Sequence, residues 1–419
     1  MMGETDHRFG HLQEVPVPWS EITVMSQRSE FVRRMLHRRE TVEELCAEFH
    51  ISTKTGYKLM ARFRTDGIAG LADRSHAPHS VRRMPSAVAS ELLEIRCAHP
   101  TWGPRKLIAF AAARDASIAW PAPSSVGALL KREGLVRRPR VQAARSSTRN
   151  WGRSDADEPN DVWTADFKGH FRLGNGPYCY PLTVVDAYSR FLLGCTALPS
   201  TDAILARSVF ERHFRAYGLP RVIRPDNGVP FAAPRALGNL STLAVWWVRL
   251  GIQPERIDLG KPQQNGRHER MHRTLKDETT KPPATTARGQ QHRFDAFRAC
   301  FNTERPHEAL GQQTPASWYG ASVRPYPRRL PKLHYGRGVD VRRVNTVGQI
   351  SWRWHYYFLT SVLAGEYVGL EEIAEDQWAV TFGALNLGYL SPSKSVLTPS
   401  VFWRNSPIIS DSSSPIIPV

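Results

Sequence analysis

The stretch VWTADFKGHFRLGNGPYCYPLTVVD, residues 162–186, decides how the middle of this chain is read. Residues 162–173 read as one strand, rich in β-branched and aromatic side chains. Gly174-Asn175-Gly176 follows, a turn with hairpin chemistry, and residues 178–186 read as its partner strand. One residue does not suit this setting. Asp166 sits mid-strand among neighbours that favour burial, and a buried carboxylate is costly unless something pairs with it.

Downstream, residues 190–198 predict a third strand and 201–217 a helix. A short buried strand is expected at 221–224, a helix at 237–250 and a strand at 252–258, with helices at 264–279 and 293–303. Three hairpin-linked strands followed by alternating helices and strands is the order of an RNase H-like α/β sheet, here over residues 158–320. A basic connector, 321–337, follows. Short strands expected at 339–344, 349–354, 356–359, 367–373 and 378–382 suggest a small β-barrel over 338–400. The Ser- and Pro-rich tail 401–419 is expected to be disordered.

Upstream, the reading is all helical. After a loose tail, 1–25, residues 26–75 have helix-turn-helix spacing. Phe31, Met35 and Leu36 share one apolar face, and Val42, Leu45 and Phe49 line a second helix. Ser52 is a good N-cap for a third helix, on which Lys54, Lys58 and Arg62 recur at every fourth position and share a face. Tyr57, Met60 and Ala61 are expected to pack inward. Residues 85–136 repeat the theme, with Leu92, Leu93 and Ile95 on a first helix, a turn at Trp102-Gly103-Pro104, and a last helix capped by Ser124 or Ser125. Residues 137–157 form a basic linker; from Lys131 to Arg153 eight cations are opposed only by Glu133.

The whole chain has 419 residues, too many for one ordinary domain, and 41% hydrophobic content, enough for real cores. Lys and Arg outnumber Asp and Glu by 56 to 39, a formal +17 that points to a polyanionic partner. Five cysteines without a CxxC pair argue against a disulfide scaffold or a Cys-rich zinc site. No stretch reaches the roughly 18 apolar residues of a membrane span, and the N-terminus lacks a signal-peptide pattern. A soluble, intracellular, basic protein is expected, with DNA, RNA or an anionic membrane surface as its partner.

Two further acids join Asp166. Asp226 ends the short strand in RPDNG, where Gly228 permits a sharp exit, and Glu269 lies in QQNGRHERMHRTLK, residues 263–276. Hard divalent cations take oxygen ligands. Two of them held roughly 3.5–4 Å apart can activate an attacking oxygen and stabilise a leaving one. Three converging carboxylates meet that need. On the Glu269 helix, Arg273 and Lys276 fall on the acid's own face, as phosphate contacts would. Asp186 competes as a ligand, but a turn role suits VVDAYSR better. His268 and His272 have no partner pair with zinc-ligand spacing.

Together WTADF (163–167), VVDAYSR (184–190), PDNG (225–228), KPQQNGRHE (261–269) and NTERPHEAL (302–310) resemble the integrase-type core of bacterial insertion-sequence transposases of the DDE type. The resemblance covers about residues 28–320. It implies catalytic, metal-holding roles for Asp166, Asp226 and Glu269, with Mg²⁺ or Mn²⁺, two ions, as the cofactor. It also implies cleavage at the element ends followed by 3′-hydroxyl strand transfer into target DNA, by a homo-oligomer assembled on that DNA. It narrows the expected partner to double-stranded DNA in the bacterial cytoplasm or nucleoid, with no membrane. Lys54, Lys58 and Arg62, with Arg273 and Lys276, are the expected DNA contacts. The alternative is a catalytically inactive helix-turn-helix regulator derived from a transposase. The spacing from Asp226 to Glu269 exceeds that of many relatives, and the extra length fits residues 234–247.

Overall fold

The computed structural model describes residues 23–74, 84–136, 156–233, 236–237, 240–256, 266–394 and 396–399. The expected tails 1–25 and 401–419 and the basic linker 137–157 fall largely outside these. By internal contacts the chain divides at residue 83 into two units.

The first unit is a trihelical helix-turn-helix: α1 (Val24–His37), α2 (Val42–Glu48) and α3 (Thr53–Asp66). Thr23, Thr41 and Ser52 each accept a backbone N–H from the first turn that follows, so every helix starts on a side-chain cap. The core is Phe31, Val32, Leu45, Cys46, Leu59, Met60 and Leu71. Gly56 is what lets α3 approach. A Cβ there would meet Cys46 Sγ at 2.7 Å and Phe31 Cζ at 2.9 Å. Tyr57, Ala61 and Leu36, expected inward, are exposed instead. The buried face of α3 runs through Gly56, Leu59 and Met60, a rotation of the expected one, because the close crossing at Gly56 fixes which side meets α1.

The second unit opens with another helical trio, α4 (Ser86–Ala98), α5 (Pro104–Arg114) and α6 (Pro123–Arg132), closed over Leu92, Trp102, Leu107, Val126 and Leu130. Neither Ser124 nor Ser125 caps α6. Its N-cap is Ala122, with Pro123 at the first helical position, where proline's missing N–H costs nothing.

The central sheet follows. β1 (Val162–Phe167) pairs antiparallel with β3 (Tyr178–Asp186), which carries β2 (Phe171–Arg172) and β4 (Leu192–Leu198). The expected single strand 162–173 is thus two, broken at residues 168–170, where Gly169 has φ +77°. On its other edge β1 pairs in parallel with β5 (Val222–Pro225), and β5 with β6 (Gln253–Pro254). Alternation along β3, with a bulge in β4 opposite Val184 and Val185, sends Leu182, Val184 and Leu193 to one face and Cys179, Val185, Leu192 and Cys195 to the other. The first face is covered by α7 (Ala203–Tyr217) and by α8 (Thr242–Arg249), whose Trp246 and Trp247 are buried. The second is covered by α9 (Gly266–Thr279) and α10 (Ala287–Thr303) through Met271, Leu275, Phe294, Phe297 and Phe301. This is the RNase H-like layering.

The C-terminal segment differs from the expected barrel. β7 (Asp340–Arg343), β10 (Tyr367–Ala374), β11 (Gln377–Phe382), β12 (Leu385–Ser391) and β13 (Val396–Pro399) form one antiparallel sheet, and β8 (Gln349–Trp352) and β9 (His355–Phe358) a separate hairpin. Among the described residues β7 and β13 do not pair, so no closed barrel is found. The sheet need not close on itself, because its apolar face shares one continuous core with α8: Val368, Leu370, Val380, Phe382 and Leu390 join the Trp246–Trp247 cluster. Arg249 seals the edge with two hydrogen bonds to Glu366, at 2.7 and 2.9 Å.

Candidate active site

Asp166 and Thr164 are two residues apart on β1 and therefore face the same side of the sheet. Thr183, the register partner of Asp166 on β3, joins them. Opposite stand His268 and His272, one turn apart on α9. Four residues of helix rise about 6 Å, close to the two-residue step of a strand, so the two ladders match. His268 Nδ1 lies 3.1 Å from Thr164 Oγ1, and its Nε2 2.6 Å from Thr183 Oγ1. His272 Nε2 lies 2.7 Å from the same Thr183 oxygen, and its Nδ1 3.7 Å from Asp166 Oδ2. Burial keeps both rings neutral: it lowers His268 to about 3, and it lowers His272 further with help from its neighbours His268 and Lys168.

Asp226 reaches the site along the parallel strand. Its N–H donates to the Ala165 carbonyl at 3.2 Å, extending the β1–β5 register to the pair Asp166 and Asp226. The Asp166 side chain is near enough to influence the Asp226 carboxyl. Burial pushes the Asp226 carboxyl up, opposed by the Gly228 N–H, 3.2 Å from Oδ1, and by Asp166. Two neighbouring acids at low exposure ask for either a shared proton or a cation.

Glu269 follows His268 on α9 and precedes His272 by three residues, so it flanks the histidine face on the exposed side of the helix. Arg273 and Lys276 are exposed on the same helix. Asp186, by contrast, is fully buried and accepts from the N–H of Asn160 and from the N–H and hydroxyl of Ser189 at 2.6–2.8 Å, a turn-building role. A cavity of about 470 Å³ is lined by α9 residues His268 and Arg270, with Thr164, Lys106, Arg190, Arg224, Arg305 and Glu308. Such a lining suits a polyanion.

In the first unit Lys54 and Lys58 are exposed on α3. Arg62 is not equivalent: it is half-buried, and its guanidinium donates to the Ala72 carbonyl. Sequence reasoning missed His268 and His272 as site residues. The available signal was their fourth-residue spacing around Glu269, matched to the alternation of Thr164 and Asp166.

Two models described as Integrase core domain match residues 156–262 and 250–315, a Helix-turn-helix domain model matches 27–79, and a Homeodomain-like domain model matches 55–130. An uncharacterized 31.7 kDa protein of insertion element IS407 from Burkholderia multivorans is 29% identical over 161 residues, which is 38% of this chain and 55% of that protein. The Pol polyprotein of Feline endogenous virus ECE1 is 31% identical over 133 residues, 31% of this chain and 12% of that one. The HTLV-2 integrase catalytic core domain, solved in complex with magnesium, aligns with a TM-score of 0.32 at 16% identity, covering 40% of this chain and all of that one. The chain thus spans about half the length of the insertion-element relative. It matches integrase core models C-terminal to helix-turn-helix models and is similar to a protein of an insertion element. Among the described residues no helix is long and apolar enough to cross a membrane.

Proposed function

We propose that this protein is a DDE-type transposase, which cuts at the ends of its element and joins the freed 3′-hydroxyls to target DNA. The observation that carries the reading is the parallel β1–β5 register that sets Asp226 beside Asp166, with His272, on the helix that bears Glu269, against Asp166. An all-oxygen set of this kind fits Mg²⁺ or Mn²⁺, and a pair of acids that repel when both ionised is the arrangement a divalent cation relieves. Asp166, Asp226 and Glu269 are the residues that would hold it, as two ions. When bound, such ions supply Lewis acidity to the attacking and leaving oxygens of a phosphodiester.

The remaining chemistry belongs to the chain. Arg273 and Lys276 lie one and two turns beyond Glu269, suited to hold the phosphate backbone along α9. The basic cavity that this helix lines adds to the same field. Lys54 and Lys58 on α3 present the first unit to an end sequence. The active species is a homo-oligomer on DNA, and the protein acts in the cytoplasm where that DNA lies.

The test is strand transfer in Mg²⁺ by Asp166→Asn, Asp226→Asn and Glu269→Gln. Each variant should lose joining while keeping its affinity for end DNA. Near wild-type joining by any one removes that residue from the set. A regulator derived from a transposase would bind the ends and join nothing even in its wild-type form.

A further inference from the structure

We propose that His272 is the positioning residue of Asp166. Its Nδ1–H, held in that tautomer by the buried series Thr164, His268 and Thr183, turns the Asp166 carboxylate toward the helix and so sets the direction from which it meets the divalent cation. This rests on the reading of Asp166 as a cation ligand.

The argument is a count of protons. Each neutral imidazole carries one N–H, and each threonine one O–H. Thr183 Oγ1 has three polar neighbours: His268 Nε2 at 2.6 Å, His272 Nε2 at 2.7 Å and the Asp166 carbonyl at 3.0 Å. It can donate to only one. If it donates to the carbonyl or to His268, then His272 must put its single N–H on Nε2. A bare Nδ1 lone pair would then face Asp166 Oδ2, between side chains only 6% and 15% exposed, where like charge is poorly screened. If it donates to His272 Nε2, that conflict disappears, and the Asp166 carbonyl gives up the Thr183 hydroxyl. His268 Nε2–H then donates to Thr183, and Thr164 donates to His268 Nδ1 at 3.1 Å, in preference to the Val185 carbonyl at 3.3 Å. The only N–H of His272 is then Nδ1–H, directed at Asp166. At 3.7 Å this is an orienting electrostatic contact, and a small rotation of the carboxylate closes it to a hydrogen bond. Supporting groups of this kind typically change metal affinity by roughly 10- to 100-fold.

The two nitrogens can be separated by substitution. An asparagine amide nitrogen takes the place of Nδ1, and a glutamine amide nitrogen that of Nε2. Calorimetric titration of the full chain with Mn²⁺ should show near wild-type affinity for His272→Asn and a loss of roughly 10-fold or more for His272→Gln. Equal loss in both, or in neither, overturns the proposal. Histidine-selective ¹⁵N spectra of the wild-type chain read the tautomer without any substitution at the site, with the His272 signals identified by their absence in His272→Gln. Nδ1–H is expected, and an Nε2–H tautomer at His272 overturns the inference; should His272→Gln not fold, the ring is assigned instead by through-space contacts to Thr183 and His268 in the wild-type chain. Asp166→Asn is the control for the underlying reading. If it binds Mn²⁺ as the wild type does, Asp166 is not a ligand and the cation part of the proposal falls with that reading, whereas a loss of binding there together with unchanged His272→Gln refutes His272 alone.

Discussion

Asp166 and Asp226 end up side by side because β1 and β5 run parallel in register and the Asp226 N–H donates to the Ala165 carbonyl at 3.2 Å. Burial holds Asp226 above its ordinary value of 3.8. The folded chain therefore keeps a proton that the unfolded chain has released, over the window from that value up to the raised one. Across this window the metal-free protein loses stability as pH rises, and the loss persists at neutral pH. Asp226→Asn removes it. The variant should melt a few degrees above wild type without metal at pH 7. Mg²⁺ should raise the melting temperature of wild type and not of the variant. A metal-free melting temperature equal to or below wild type would contradict this account of Asp226.

The three basic residues of α3 should not behave alike. Lys54 and Lys58 are exposed, while Arg62 donates to the Ala72 carbonyl that follows the helix. The Lys54→Ala/Lys58→Ala double variant should melt as wild type does and bind end DNA more weakly, with the slope of log affinity against log salt reduced by about two. Arg62→Ala should instead destabilise the first unit, by about 1–2 kcal/mol for a lost charge-assisted bond, read as faster amide exchange in α1–α3. An unchanged slope in the lysine variant would remove α3 from the interface.

Arg273 and Lys276 carry a similar expectation in the core. Replacing both with Ala should leave the melting temperature and Mn²⁺ affinity unchanged and lower the salt slope of DNA binding by about two. If Arg273 serves only the helix, through an i, i+4 pair with Glu269, stability would fall by a few tenths of a kcal/mol and the salt lines of the two proteins would run parallel.

Much of the core was legible because its signals are local. The hairpin glycines, the alternation of 178–186 and the cap at Ser52 each sit within a few residues of what they determine. What eluded the sequence is set by distant partners. The facing of α3 depends on how closely Gly56 lets it meet Phe31 and Cys46. The strands 385–391 and 396–399 were missed because Asn386 and Gly388 interrupt the apolar alternation of the first, and an open sheet replaced the barrel because α8 supplies the apolar cover. His268 and His272 looked unpartnered because their partners, Thr164, Asp166 and Thr183, lie far upstream in sequence. The acids themselves stood out because short motifs surround each of them.

The most direct test of the account is a joining reaction with the intact chain, a duplex carrying its element end with an exposed 3′-hydroxyl, and a supercoiled plasmid, with Mg²⁺ or with EDTA. The account predicts plasmid molecules covalently joined to the end duplex in Mg²⁺ and none in EDTA. Tight, specific binding of the end duplex without any joined product in Mg²⁺ or Mn²⁺ would contradict it.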